Sequence, residues 1–146
     1  MKKENWFENV ENRNHPWPGL TWLTTAICVS DVKRAVDFYT ETMGMISIAE
    51  LNDDNGVLLF ARIRYRGINF TINKENWDSD LLSPLSSGQA TSFIFYLYVD
   101  DVKQIVKDMV NGGASILNSP EKMFWGDFKA RIKDPFGYIW DIAQKL

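Results

Sequence analysis

The stretch VSDVKRAV, Val29 to Val36, returns seventy residues later as VDDVKQIV, Val99 to Val106. Val29, Asp31, Val32, Lys33 and Val36 recur as Val99, Asp101, Val102, Lys103 and Val106, and Thr21 recurs as Thr91. Further along, Gly67 matches Gly137 and Ile72 matches Ile142 at the same offset. A repeat of fixed spacing decides the architecture before any single element does. Two copies point to a duplicated module, not a solenoid.

Each copy reads alike. A strand alternates first, with Thr25, Ile27 and Val29 on one face and Thr24, Ala26 and Cys28 on the other. In the second copy Phe93, Phe95, Leu97 and Val99 alternate with Ile94, Tyr96 and Tyr98. Asp31 and Asp101 then stand as helix N-caps, placed to accept from first-turn N–H groups. Val32, Ala35, Val36 and Tyr39 share one helix face, and that helix stops at Gly44. Val102, Ile105, Val106 and Met109 share the next, which stops at Gly112 and Gly113. Three strands follow in each copy, expected at 45–51, 57–64 and 68–73 and at 114–117, 128–133 and 138–143. The fold class is therefore α+β: two tandem βαβββ modules, 21–73 and 91–144, in one domain spanning 21–146. Residues 74–90, rich in Ser, Gly and Pro, form the linker. Residues 1–20 form an irregular arm whose Trp6, Phe7 and Trp17 suggest that it docks.

Composition narrows the function. With 146 residues, 45% apolar and 24% charged, the chain suits a single globular domain. A net charge of −3 argues against nucleic acid as a partner, because phosphate binding wants a basic surface. The lone cysteine, Cys28, excludes an internal disulfide. Met-Lys-Lys leads into a polar stretch instead of an apolar one, so no signal peptide is read, and a cytoplasmic protein with no membrane partner is expected.

The last strand of each copy places one carboxylate in question. Ile68, Phe70 and Ile72 alternate with Asn69, Thr71 and Asn73, and Tyr138, Trp140 and Ile142 alternate with Ile139, Asp141 and Ala143. The apolar sets are expected under the helices, with Trp140 in the core, so Asp141 faces the other side. If the two sheets curl towards each other, the mixed faces line a shared cup.

With its V-x-D-V-x-x-A-x-x-F-Y run from Val29 to Tyr39, and with MFWGDFKARIKDPFGYIWDIA from Met123 to Ala143, the chain resembles the vicinal oxygen chelate superfamily of glyoxalases, bleomycin-resistance proteins and extradiol dioxygenases. Trp125-Gly126-Asp127 followed by Asp134-Pro135-Phe136-Gly137 is similar to its PhnB-like branch. The resemblance covers roughly residues 21–144. It implies a cup, often completed in a homodimer, and in metal-dependent members one divalent ion held from the first and last strands of each module. Those positions fall here on Thr24, Thr71, Ile94 and Asp141. Ile94 has no ligating atom, and neutral Thr hydroxyls are poor ligands for Zn, Ni or Fe. The single His15 lies in the arm. No cofactor is therefore expected.

The expected site is a metal-free cup lined by Thr24, Thr71, Ile94, Tyr96, Tyr98 and Asp141, binding a small aromatic or amphipathic molecule. Asp141 is a hydrogen-bonded structural acid, a ligand anchor or, if catalysis occurs, the general base. Arg62 and Arg64 recur at strand spacing, as do Lys129, Arg131 and Lys133; each set is a solvated face or, turned inward, an anion holder. The alternatives are a divalent-metal lyase, isomerase or dioxygenase of the same superfamily, and a protein-interaction module without a small ligand.

Overall fold

The structure is a computed structural model that describes residues 13–146; Trp6 and Phe7 of the arm lie outside them. The first module runs β1 (Thr25–Val29), α1 (Val32–Met43), β2 (Ile46–Asn52), β3 (Leu58–Tyr65) and β4 (Ile68–Lys74). A short helix α2 (Pro84–Ser87) sits in the linker. The second module repeats the plan with β5 (Phe95–Tyr98), α3 (Val102–Asn111), β6 (Ser115–Lys122), β7 (Asp127–Lys133) and β8 (Ile139–Lys145). The sheets have strand orders β1-β4-β3-β2 and β5-β8-β7-β6. In each, the first strand pairs parallel with the last and the remaining pairs are antiparallel. The expected α+β class and the duplicated module are both present.

The sequence explains most boundaries. Asp31 and Asp101 accept from the N–H groups of Arg34 and Gln104 and so cap α1 and α3. The linker, expected without regular structure, holds a helix that starts on Ser83, whose side chain accepts from the Ser86 N–H, with Pro84 following at its first position. β6 runs to Lys122, beyond the expected 117, through two register shifts and past Pro120. Proline removes a ladder donor, which an edge strand tolerates.

One core holds both modules together. Tyr39 of α1 packs on Phe70 of its own sheet and on Trp140 and Phe136 of the other module. Phe95 stacks on Trp140 with centroids 4.3 Å apart. Asp134 is buried there with four donors. Its Oδ1 accepts from the Phe136 and Tyr138 amides, and its Oδ2 accepts from the Trp140 indole and the Tyr39 hydroxyl. Gly137, at φ +92°, lies so near α2 that a Cβ would come within 2.7 Å of Pro84. The turn Asp134 to Gly137 thus joins helix, sheet and linker.

The modules also reach across to each other's edge strands. The Tyr138 hydroxyl donates to the Cys28 carbonyl at 2.7 Å and accepts from the Cys28 N–H at 3.0 Å. Burial pushes this phenol up to about 12, so it stays neutral and can serve in both roles. The Tyr65 hydroxyl donates to the Tyr98 carbonyl at 2.8 Å.

This packing corrects the expected cup. The helix-bearing faces of both sheets share the core, so within one chain the mixed faces turn away from each other. Thr24 and Thr71 belong to one outer face, Ile94 and Asp141 to the other. Among the described residues no helix is long and apolar enough to cross a membrane.

Candidate functional site

The second module's outer face is organised by two carboxylates. Asp141 is a hydrogen-bonded, ion-paired acid. It lies opposite Arg131 in the β7–β8 register, and the guanidinium donates to both its oxygens, at 2.8 and 3.1 Å. Lys129 approaches Oδ2 at 3.1 Å with its own side chain almost fully buried. Burial raises the acid's pKa, but Arg131 and then Lys129 outweigh it and hold the carboxyl below its ordinary value. An ionised carboxylate with both oxygens engaged does not suit the general-base role, and as a ligand anchor it is already occupied.

Asp127, which in the sequence stands out only as the last residue of Trp125-Gly126-Asp127, is the second organiser. At the start of β7, its Oδ2 accepts from the Tyr96 hydroxyl at 2.6 Å, the Tyr98 hydroxyl at 2.7 Å and the Trp125 indole N–H at 2.9 Å. Burial raises its pKa, yet the three donors bring it below the ordinary carboxylate range. The same bonds, with burial, push both phenols above theirs. Three aromatic rings are thus fixed by their polar tips while their flat sides stay half exposed. Lys129 Nζ lies 6.0 Å from the Tyr96 ring centroid and links the two clusters.

Beside this face, where the edge of β5 meets the first module, lies a cavity of about 430 Å³. Phe70, Phe95 and Trp140 line it, with Leu23, Ile68, Asn69, Tyr96 and Tyr98. It keeps Tyr96 and Tyr98 of the expected set. Thr71 and Asp141 are not among its lining residues, nor are Thr24 and Ile94, which precede β1 and β5. Leu23 and Ile68 are largely exposed there, an apolar rim open to solvent.

The first module's outer face is different. Arg62 lies opposite Thr71, and Arg64 opposite the buried Asn69. Arg62 donates to Asn69 Oδ1 at 2.9 Å. The Asn69 amide and Arg64 both donate to the carbonyl of Gly19, each at 2.9 Å, pinning the end of the arm onto the sheet. Gly19 has φ +85°, and a Cβ there would meet Arg64 Nη2 at 2.5 Å. Trp17 of the arm and Trp22 just after it stay exposed. Arg66 points elsewhere and pairs with Asp100 at 2.8 Å.

These residues do not fit a family-type divalent ion. Thr24 and Thr71 offer neutral hydroxyls, Ile94 offers nothing, and the oxygens of Asp141 are taken by a guanidinium and an ammonium. Among the described residues no group of three His, Cys, Asp or Glu side chains could hold a metal ion.

A model of the Glyoxalase/Bleomycin resistance protein/Dioxygenase superfamily matches residues 21–142. An uncharacterised protein of Mycobacterium bovis is 27% identical over 127 residues, covering 85% of this chain and 83% of that protein. Among solved structures, TioX from Micromonospora superposes with a TM-score of 0.66 at 17% identity, over 86% of this chain and 97% of that one. An Arabidopsis thaliana gene product gives 0.68 at 22%, over 85% and 98%. A glyoxalase/bleomycin resistance protein/dioxygenase family enzyme from Burkholderia phytofirmans gives 0.67 at 19%, over 84% and 97%. At these identities the structural likeness shows the fold.

Proposed function

The chain belongs to the glyoxalase/bleomycin resistance protein/dioxygenase superfamily, and from that premise we propose that it binds a small aromatic or amphipathic molecule without a metal. The observation that carries this reading is the cavity of about 430 Å³ with its ring floor, Phe95 stacked on Trp140 with Phe70 alongside. Its size falls within the range of small-molecule pockets, and apolar walls with few polar groups are the usual lining. Tyr96 and Tyr98, held by Asp127, supply fixed rings at the rim. Within the superfamily we place the chain in the PhnB-like branch, on Trp125-Gly126-Asp127 and the turn at Asp134. We also propose a homodimer: each outer face is one wall, and a second copy supplies the opposing wall that a single chain lacks.

The test uses N-phenyl-1-naphthylamine, a neutral fused-ring probe, with protein purified without chelator. Saturable enhancement of its fluorescence is expected at one probe per chain, weakened about tenfold by Ile68→Glu or Leu23→Glu. Both positions are exposed, so these variants should fold. Stoichiometric Ni, Zn, Fe or Mn in the purified protein, lost in Asp141→Ala, would overturn the metal-free reading. Binding indifferent to both rim variants would remove the cavity as the site.

A further inference from the structure

The duplication offers an internal standard. Thr71 and Asp141 are equivalent positions, each four residues after a matched glycine, Gly67 or Gly137. Thr71 pairs with Ala26 of β1 and Asp141 with Tyr96 of β5, partners that are themselves seventy residues apart. On the other side Thr71 faces Arg62, and Asp141 faces Arg131. Both modules therefore place an arginine across from the same point of the last strand. In the second module that point carries a carboxylate, gripped by two guanidinium nitrogens. In the first it carries a hydroxyl, and among the described residues the arginine has no acid.

Among the described residues neither Arg62 nor Arg64 forms a salt bridge. Each has one hydrogen-bond acceptor, Asn69 Oδ1 for Arg62 and the Gly19 carbonyl for Arg64. A guanidinium carries five N–H donors, so most of this capacity remains. Both side chains are half-buried on a protein of net charge −3. Two partly desolvated guanidiniums on one strand face repel each other unless an anion joins them. Arginine forks also match the oxygens of carboxylate or phosphate with bidentate geometry.

We propose that Arg62 and Arg64 form an oxyanion-binding site on the first sheet's outer face, where a ligand's carboxylate or phosphate takes the place that Asp141 fills in the second. Asn69 supports it by orienting Arg62 and by holding the Gly19 carbonyl with Arg64. The inference rests on the two arginines and the repeat, and it stands independently of the cavity reading.

The test is an NMR titration of the arginine Nε–Hε resonances with benzoate in one arm and phenyl phosphate in the other. Saturable shifts of the Arg62 and Arg64 signals by either probe are expected, and the stronger probe identifies the carboxylate or the phosphate as the preferred group. Thr71→Asp should move the Arg62 signal without ligand, toward that of Arg131, and weaken binding about tenfold or more. Arg62→Gln and Arg64→Gln should weaken it comparably, which keeps the test open if Thr71→Asp fails to fold. Arg66→Gln, already paired with Asp100, should leave it unchanged. Resonances unmoved by both probes at about 10 mM, or equal binding in wild type, Thr71→Asp and Arg62→Gln, would overturn the site.

Discussion

The outer faces of the two sheets descend from one plan and now solve the same electrostatic problem in opposite ways. The second face is self-contained. Asp141 neutralises Arg131 and Lys129, and Asp127 gathers Tyr96, Tyr98 and Trp125. Among the described residues the first pairs its arginines with no acid, and it leans on the carbonyl of an arm residue, Gly19. Their inward faces stayed alike, with Ile72 and Ile142 both fully buried. A duplicated scaffold can thus keep its core pattern fixed while its polar faces diverge, because a core position answers to packing and an outer position answers to its partner.

The sharpest way to break the comparison is to remove the acid that makes one face self-contained. Asp141→Ala leaves the buried Lys129 ammonium without a carboxylate and should cost about 3 kcal/mol of unfolding free energy in urea melts. Thr71→Ala at the equivalent point should cost about 1 kcal/mol. Similar losses at both positions would remove the asymmetry. Asp127→Asn comes next, because it weakens three charge-assisted bonds at once. About 2 kcal/mol should be lost, with an emission shift from Trp125.

Acid should separate the faces as well. Asp127 and Asp141 are held below the ordinary carboxylate value, so near that value the folded chain binds fewer protons than the unfolded one. Their stabilisation is full above about pH 4 and is lost as pH falls through the lowered folded values. Urea midpoints measured against pH should show an acid limb that Asp141→Asn flattens and Thr71→Ala leaves in place. The smallest effect belongs to Gly19→Ala. Its positive φ and the approach to Arg64 strain any side chain, at about 1 kcal/mol. Faster proteolysis within residues 13–20 at unchanged core stability would report the loosened arm.

Much of this was legible in the chain, for identifiable reasons. The helix caps, the repeat and the inward residues follow from local periodicity, and Trp140 is buried as its strand alternation implied. What local pattern hides is register. Nothing within β8 shows that Asp141 stands across from Arg131; that depends on how the turn at Asp134 closes the β7–β8 hairpin. Asp127 was harder still, since Tyr96 and Tyr98 reach it from β5, with β8 intervening. The shared cup was expected because each sheet had one mixed face. Which faces the two sheets bury together was decided by Tyr39, Phe70, Phe136 and Trp140, side chains whose long-range partners no alternation reveals. The linker helix did carry a signal, Ser83 before Pro84, obscured by the turn-forming residues around it.

The phenols of Tyr138 and Tyr65 have a consequence for growth and aggregation. A free edge strand is a template on which another chain can crystallise a further strand, and chains that do so build fibres. Here the amide and carbonyl of Cys28 in β1 are both taken by one hydroxyl, and the Tyr98 carbonyl in β5 by another. Each module acts as a stopper for its sibling's edge. Strand addition at these two edges is therefore obstructed, and it is left to the far edges, β2 and β6, of which β6 is itself blunted by Pro120.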